Sequence, residues 1–304
     1  MGRRTLWPFL YTYENYLRSR NRHKSLNYWS QDRGFWAESG ILNTILSEVM
    51  IDKYGARESF VFNSYSTPIA FLDPAFGGDQ CVARFGFMGD VEGGKVGILL
   101  TDTVVIEAEA DSKDEVDYQI ARRFIDECAR RTVGPENAGI DATGIGRGVY
   151  AITASEWSQR VNRVEFGGGA SDLPASADDP RPAKQVYDRK VTELWYSVRE
   201  LVMAGQLRGM QTAEIVQFCT REYKRLGRLI RIDTKDECKA KLGRSPDNAD
   251  AVSGLCHVAR INGLVAASEI TARSTTSWEK MAKENQETIQ ENYSEENEYV
   301  LADA

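Results

Sequence analysis

From residue 67 onward the chain moves from short apolar runs to segments of helical period. IAFLD (69–73) reads as a strand, DPAFGGD (73–79) as a turn and CVARFGFM (81–88) as a second strand. GDVEGGK (89–95) turns the chain into VGILLTDTVVIEAEA (96–110), a long third strand. Apolar runs joined by such turns predict an antiparallel meander. The period then changes. DEVDYQIARRFIDECARR (114–131) sets Val116, Ile120, Phe124 and Cys128 four apart, on one face of a helix.

NAGID (137–141) predicts a fourth strand, TGIGRG a Gly-rich turn into the helix VYAITASEWSQ, and NRVEFGG (162–168) a fifth strand. SDLPASADDPRPA (171–183) reads as a loop. KQVYDRKVTELWYSVRELVMAG (184–205) reads as a strong helix with a Gly stop, in which Trp195 and Tyr196 are expected to be core. A helix over 212–226, a strand at GRLIRID and a helix over 246–264 follow. Three antiparallel strands, then strands alternating with helices, predict an α/β fold with a mixed sheet flanked by helices on both faces. Residues 1–66, with a helical stretch at 37–54, are expected to form an N-terminal helical or linker segment. Residues 67–268 form the domain, and the polar, acidic 269–304 a disordered tail.

Composition narrows the class. The 304 residues are 42% hydrophobic and 27% charged, as in soluble globular proteins. No run of 18 apolar residues predicts a membrane span, and the basic, aromatic start lacks the apolar core of a signal peptide. Five scattered cysteines, an odd count with no C-x-x-C, fit a reduced cytoplasmic protein. The two histidines, His23 and His257, lie in no motif, which argues against Ser-His-Asp, Cys-His and His-zinc chemistry. Carboxylates remain, with 45 Asp and Glu.

The net charge of −7 argues against a nucleic-acid partner until its distribution is read. Residues 221–244 hold nine Lys and Arg against four acids, and residues 1–33 seven against two. Residues 277–304 hold eight acids and two lysines. Either basic stretch is a solvated helix face or a phosphate-binding surface.

Two glycine motifs are decoys. GDVEGGKV (89–96) fits G-x-x-x-x-G-K, but Val96 replaces the Ser or Thr of a P-loop and a strand follows. It reads as a hairpin turn, and no ATPase activity is expected. TGIGRG (143–148) lacks the G-x-G-x-x-G spacing of a dinucleotide site.

The candidate chemistry lies in acids at element ends. Asp73 closes the first strand and Asp141 the fourth. If those strands are neighbours, both carboxylates stand at one rim, where ligands of such sheets gather. RSPDNADAVSG (244–254) predicts a helix with Ser245 as N-cap and Pro246 at its first position. That helix carries Asp247 and Asp250 three apart on one face. Its small residues Ala249, Ala251 and Gly254 are expected to leave room for a metal and a phosphate backbone. Asp79 returns near Asp73 across the first turn. A single such acid is as readily a turn former or a cap. Together they would repel strongly without a cation between them, and all-oxygen ligands select Mg²⁺ or Mn²⁺. Two such ions about 4 Å apart can activate a water and stabilise the leaving oxygen of a phosphodiester.

These residues also carry a resemblance. LDPAFGGD (72–79), GIDATGIGRGV (139–149) and IDTKDECKAKLGRSPDNADA (232–251) resemble the C-terminal nuclease domain of phage terminase large subunits, over roughly residues 67–265. WSQDRGFWAESGILNTILS (29–47) is similar to the stretch that precedes this nuclease in some members. The resemblance implies an RNase H-like fold and a two-metal DNA endonuclease acting in genome packaging. Asp73 would bridge both metals, Asp141 and Asp250 would each hold one, and Asp247 and Asp79 would assist. Lys235, Lys239, Lys241 and Arg244, just before the third acid, and Arg147, just after the second, would then contact DNA phosphates. The double-stranded DNA substrate, a small terminase subunit, a portal and an ATPase motor are partners by resemblance. Family members carry that motor before the nuclease, and these 304 residues leave no room for one. A truncated or split gene product and a free-standing nuclease are both compatible with this, so cleavage is expected of this chain while translocation by it is left open. The alternatives are a Holliday-junction resolvase or transposase-like nuclease on the same fold, and an inactive DNA-binding packaging subunit. A PD-(D/E)xK nuclease fits poorly, because the Pro246-Asp247 pair comes after Asp233-x-Lys235.

Overall fold

Strand β1 (Ser66–Asp73) is buried from Ile69 to its end, as its unbroken apolar run requires of a strand covered on both faces. In the computed structural model, which describes residues 43–76, 78–176 and 179–264, β1 lies inside a six-stranded sheet. It pairs antiparallel with β2 (Val82–Val91), which pairs antiparallel with β3 (Lys95–Val105). On its other side β1 runs parallel to β4 (Ala138–Asp141), and β4 parallel to β5 (Asn162–Val164). A short strand, β6 (Leu207–Arg208), runs parallel to β3 at the far edge. The order β5-β4-β1-β2-β3-β6 is the mixed, RNase H-like sheet expected: a meander first, parallel strands after.

The alternation along β1 divides the core. Ile69 and Phe71 face α4 (Lys190–Met203), α5 (Thr212–Thr220) and α7 (Asp247–Ile261). Ala70 and Leu72 face α2 (Val116–Arg130) and α3 (Gly146–Glu156) with Phe85, Ile120 and Phe124. Each such ring or branched chain, fully buried, contributes about 1.5–3 kcal/mol. Of the helix expected over 37–54, only α1 (Glu48–Lys53), capped by Ser47, is helical among the described residues; residues 43–47 are not, and Ile45, Leu46 and Ile51 join the main core. Residues 37–42, the basic stretch at 1–33 and the acidic tail lie outside the described residues. Among the described residues no helix is long and apolar enough to cross a membrane.

The GDVEGGK stretch is the β2–β3 hairpin turn, with Gly93 and Gly94 at φ 84° and 69°. Several boundaries differ from expectation. The helix expected from 184 starts at Lys190. Residues 186–188 instead run beside β8 (Leu229–Ile232), where Asp188 N–H donates to Ile230 O and Ile230 N–H to Val186 O. The helix expected over 212–226 stops at Thr220. Tyr223–Leu226 forms β7 and pairs antiparallel with β8 across a turn at Gly227 (φ 59°). The third strand ends at Val105 rather than 110, since Glu109 N–H is taken by the Gln119 side chain. A separate helix, α6 (Lys235–Leu242), precedes α7, with a Thr234/Glu237 capping box and a left-handed Gly243 at its end. At α7 the cap position falls on Pro246, not Ser245, because Pro246 O accepts the first helical bond, from Asp250 N–H.

Candidate active site

The parallel pairing of β1 and β4 ends at Leu72 opposite Ile140, so the next residue of each strand is an acid, Asp73 and Asp141. α7 lies across β1, β2 and β4 and brings Asp247 and Asp250 to the same rim. The four carboxylates are at most 9% exposed. Such burial of like charges is costly unless something positive joins them.

Lys235, at the start of α6, is that charge. Its Nζ lies 3.3 Å from Asp247 Oδ1, 3.7 Å from Asp250 Oδ2 and 4.0 Å from Asp79 Oδ2. Burial opposes its charge, but Asp250, Asp73 and Asp247 outweigh this and hold its pKa above the ordinary lysine value. Lys239 pairs with Asp79 at 2.6 Å. Burial alone would raise Asp79. The hydrogen bond from Lys239 and the charge of Lys235 lower it instead.

Asp73 has no such relief. Burial and then the charge of Asp250 push its carboxyl well above the ordinary range, against the pull of Lys235. Its buried Oδ2 has no hydrogen-bond partner among the described residues. Asp141 is raised by burial too, though its Oδ1 accepts from Thr143 N–H at 2.9 Å, Thr143 Oγ1 at 2.7 Å and Phe166 N–H at 3.3 Å. The last bond explains why β5 ends at Val164 instead of 168: the backbone beyond it is turned toward Asp141. Asp247 Oδ2 accepts from Gln80 N–H at 2.9 Å. Asp250 Oδ1 accepts from Trp195 Nε1 at 2.7 Å.

As the side chains stand, no three His, Cys, Asp or Glu among the described residues are arranged to hold a metal ion. The donors nevertheless suit a hard divalent cation. They are all oxygen, buried and mutually repelling, two of their oxygens (Asp73 Oδ2 and Asp247 Oδ1) accept no hydrogen bond among the described residues, and a cation, Lys235, is already drawn among them. Asp73, Asp141 and Asp250, with Asp247 beside them, are the residues that would hold it.

No protein-family model and no curated protein matches this chain. Among the solved structures it is similar to are two of a phage large-terminase nuclease and one of a phage large terminase. The large terminase nuclease from thermophilic phage G20c overlaps 68% of this chain and 95% of its own, at 10% identity and a TM-score of 0.36. The same nuclease with bound magnesium overlaps 71% and 96%, at 11% identity and 0.37. The HK97 bacteriophage large terminase overlaps 81% of this chain at 12% identity and 0.38, and the chain spans half of that protein's length. At these TM-scores the overlap assigns no activity.

The small residues of α7 have a different use from the one expected. Ala249, Ala251 and Gly254 are buried against the sheet, and a Cβ on Gly254 would lie 2.1 Å from the Phe71 ring. They let the helix approach β1 closely instead of leaving open space. Gly146 does the same for α3, where a Cβ would lie 1.8 Å from Asp141 O.

The cations expected to meet DNA divide into two groups. Arg147 and Arg244 are exposed and form no ion pair among the described residues. Lys235, Lys239 and Lys241 are engaged by acids, Lys241 with Asp233 at 2.7 Å and Glu222 at 3.1 Å. The hairpin β7–β8 adds Lys224, Arg225 and Arg228, exposed and without ion pairs among the described residues. These were hidden in the sequence by the helical reading of 212–226, although the LGR turn after Arg225 carries a hairpin signal.

Proposed function

We propose that this chain is a divalent-metal-dependent DNA endonuclease of the phage large-terminase type, acting during genome packaging. The observation that carries this reading is the convergence of four buried carboxylates from β1, β4 and α7 around a partnerless Asp73 oxygen. The sequence motifs at these same positions support it. Two Mg²⁺ or Mn²⁺ held there would polarise the phosphodiester and lower the pKa of a bound water. Asp73, Asp141 and Asp250 are the residues that would hold the ions, with Asp73 the one they would share. Thr143 and the Phe166 backbone aim Asp141. Lys235, now 3.3 Å from Asp247 and 3.7 Å from Asp250, would have to yield that place to a bound ion. Arg147, Arg244 and the hairpin cations hold the DNA backbone beside the rim and read no sequence, since phosphate contacts position without specifying. The remaining members of a packaging machine, a small subunit, a portal and an ATPase motor, are the partners this reading brings.

A plasmid nicking assay with Mn²⁺, Mg²⁺ and EDTA, run beside Asp73→Asn and Asp250→Asn, tests it. Metal-dependent nicking and linearisation, lost in both variants, is expected. Plasmid left intact by folded protein under every metal would replace the enzyme by a DNA-binding subunit. Preferential cutting of branched over linear duplex would replace the terminase reading by a junction resolvase.

A further inference from the structure

Asp250 presents its two oxygens to different surroundings. Oδ2 faces the cluster, 3.7 Å from Lys235 Nζ. Oδ1 faces the core, where Trp195 Nε1 donates to it at 2.7 Å. Trp195 is fully buried, so that bond is shielded from water. The guanidinium of Arg221 stacks 4.3 Å from the Trp195 ring centroid and sets Nη1 3.6 Å from the same Oδ1. Arg221 is itself held: it is 2% exposed, and its Nε donates to Asp233 O at 3.0 Å. Its Nη1 makes no hydrogen bond, so its charge is balanced there through Asp250.

We infer that Trp195 and Arg221 are positioning residues for Asp250, fixing Oδ1 on the core side so that Oδ2 is presented to a metal. The inference rests on the metal-dependent reading of the cluster. An indole N–H is suited to this task. It donates without accepting, so it fixes Oδ1 without offering a metal a rival ligand. A carboxylate with one oxygen bound in the core has few rotamers left, so its free oxygen is pre-aimed. Partners of this kind around a metal ligand change affinity about 10–100-fold when removed. A purely packing Trp195 would affect stability alone. The adjacent Phe218, 4.8 Å from the Trp195 ring and bonded to no acid, is the internal control for packing.

The test measures Mn²⁺ binding by the electron paramagnetic resonance of free Mn²⁺, together with the melting temperature, for the full chain and the variants Trp195→Phe, Arg221→Gln and Phe218→Leu. Trp195→Phe and Arg221→Gln are expected to weaken Mn²⁺ binding about tenfold. Phe218→Leu is expected to lower the melting temperature with Mn²⁺ binding unchanged. If Trp195→Phe does not fold, Arg221→Gln decides the point in the same assay. Parent-like Mn²⁺ affinity in both variants would overturn the positioning role and leave the metal site standing. No Mn²⁺ binding by the parent chain would overturn the metal reading and this inference with it.

Discussion

Lys235 stands with its ammonium 3.3 Å from Asp247 and 3.7 Å from Asp250, on the side of α7 that faces the sheet rim. It does for the metal-free protein what a divalent ion would do: it separates like charges. Lys235→Ala should therefore lower metal-free stability, by about 1–2 kcal/mol given that the side chain is partly exposed. Mn²⁺ should then raise the melting temperature more in this variant than in the parent, because no lysine has to be displaced. Equal metal-induced shifts in the two proteins would mean that Lys235 and the metal occupy different places.

Asp73→Asn should have the opposite effect on the metal-free fold. It removes a buried negative charge repelled by Asp250, Asp141 and Asp247. A gain of about 1–2 kcal/mol follows from the relieved repulsion and desolvation. The parent should gain about 2.7 kcal/mol from metal at a hundred times its Kd, and the variant nothing. Thermal melts with and without Mn²⁺ measure both.

His257, on α7, is buried and its pKa is pushed down to about 3 by burial, with Lys190 and Arg260 adding to it. The sign follows from the unfolded chain, where a histidine protonates near 6.5. The folded protein resists that proton, so the stability His257 contributes is present above about pH 6.5 and is lost as pH falls toward 3. At pH 5 the loss is about 2 kcal/mol relative to neutral pH. His257→Leu should flatten the urea stability profile between pH 7 and 5 by about that amount. An unchanged slope would contradict the neutral, buried imidazole.

Arg84 and Glu214 form a fully buried pair, Nε to Oε1 at 2.6 Å, that ties β2 to α5. Glu214→Leu alone should cost about 3–5 kcal/mol, because it strands the guanidinium in the core. Arg84→Met added to it should recover most of that loss. Chemical denaturation of Glu214→Leu, of Arg84→Met alone and of the double variant checks the pattern, and two single losses that simply add would contradict it.

The exposed hairpin cations give a prediction in salt. Replacing Lys224, Arg225 and Arg228 together by Ala should weaken duplex binding equally for all sequences. It should also reduce the slope of log affinity against log salt by about two to three. A changed sequence preference with an unchanged slope would place these residues at the bases instead.

The sheet was legible because its information is local. Apolar runs with Gly-rich turns specify β1 to β3, and the Val116 to Cys128 spacing specifies α2. Asp73 and Asp141 were legible as strand-ending acids, and their meeting followed once β1 and β4 paired. The hairpin β7–β8 was misread because the apolar spacing of 212–226 continues past Thr220, and only tertiary contacts end the helix there. Trp195 was expected to be core, and it is. The destination of its N–H, an acid 55 positions later in the chain, is a tertiary fact that no period reports. The same holds for the engagement of Lys239 by Asp79.

The closeness of Gly254 to Phe71 makes the third acid a matter of clearance. A single methyl at 254 would meet the ring at 2.1 Å and lift α7, and Asp250 with it, off the strands that carry the other two acids. The gap between Asp250 and the two strand-end acids is thus set one helical turn away from Asp250, by the thickness of a hydrogen atom. Paired changes at 71 and 254 offer a dial for that gap that substitutes none of the carboxylates.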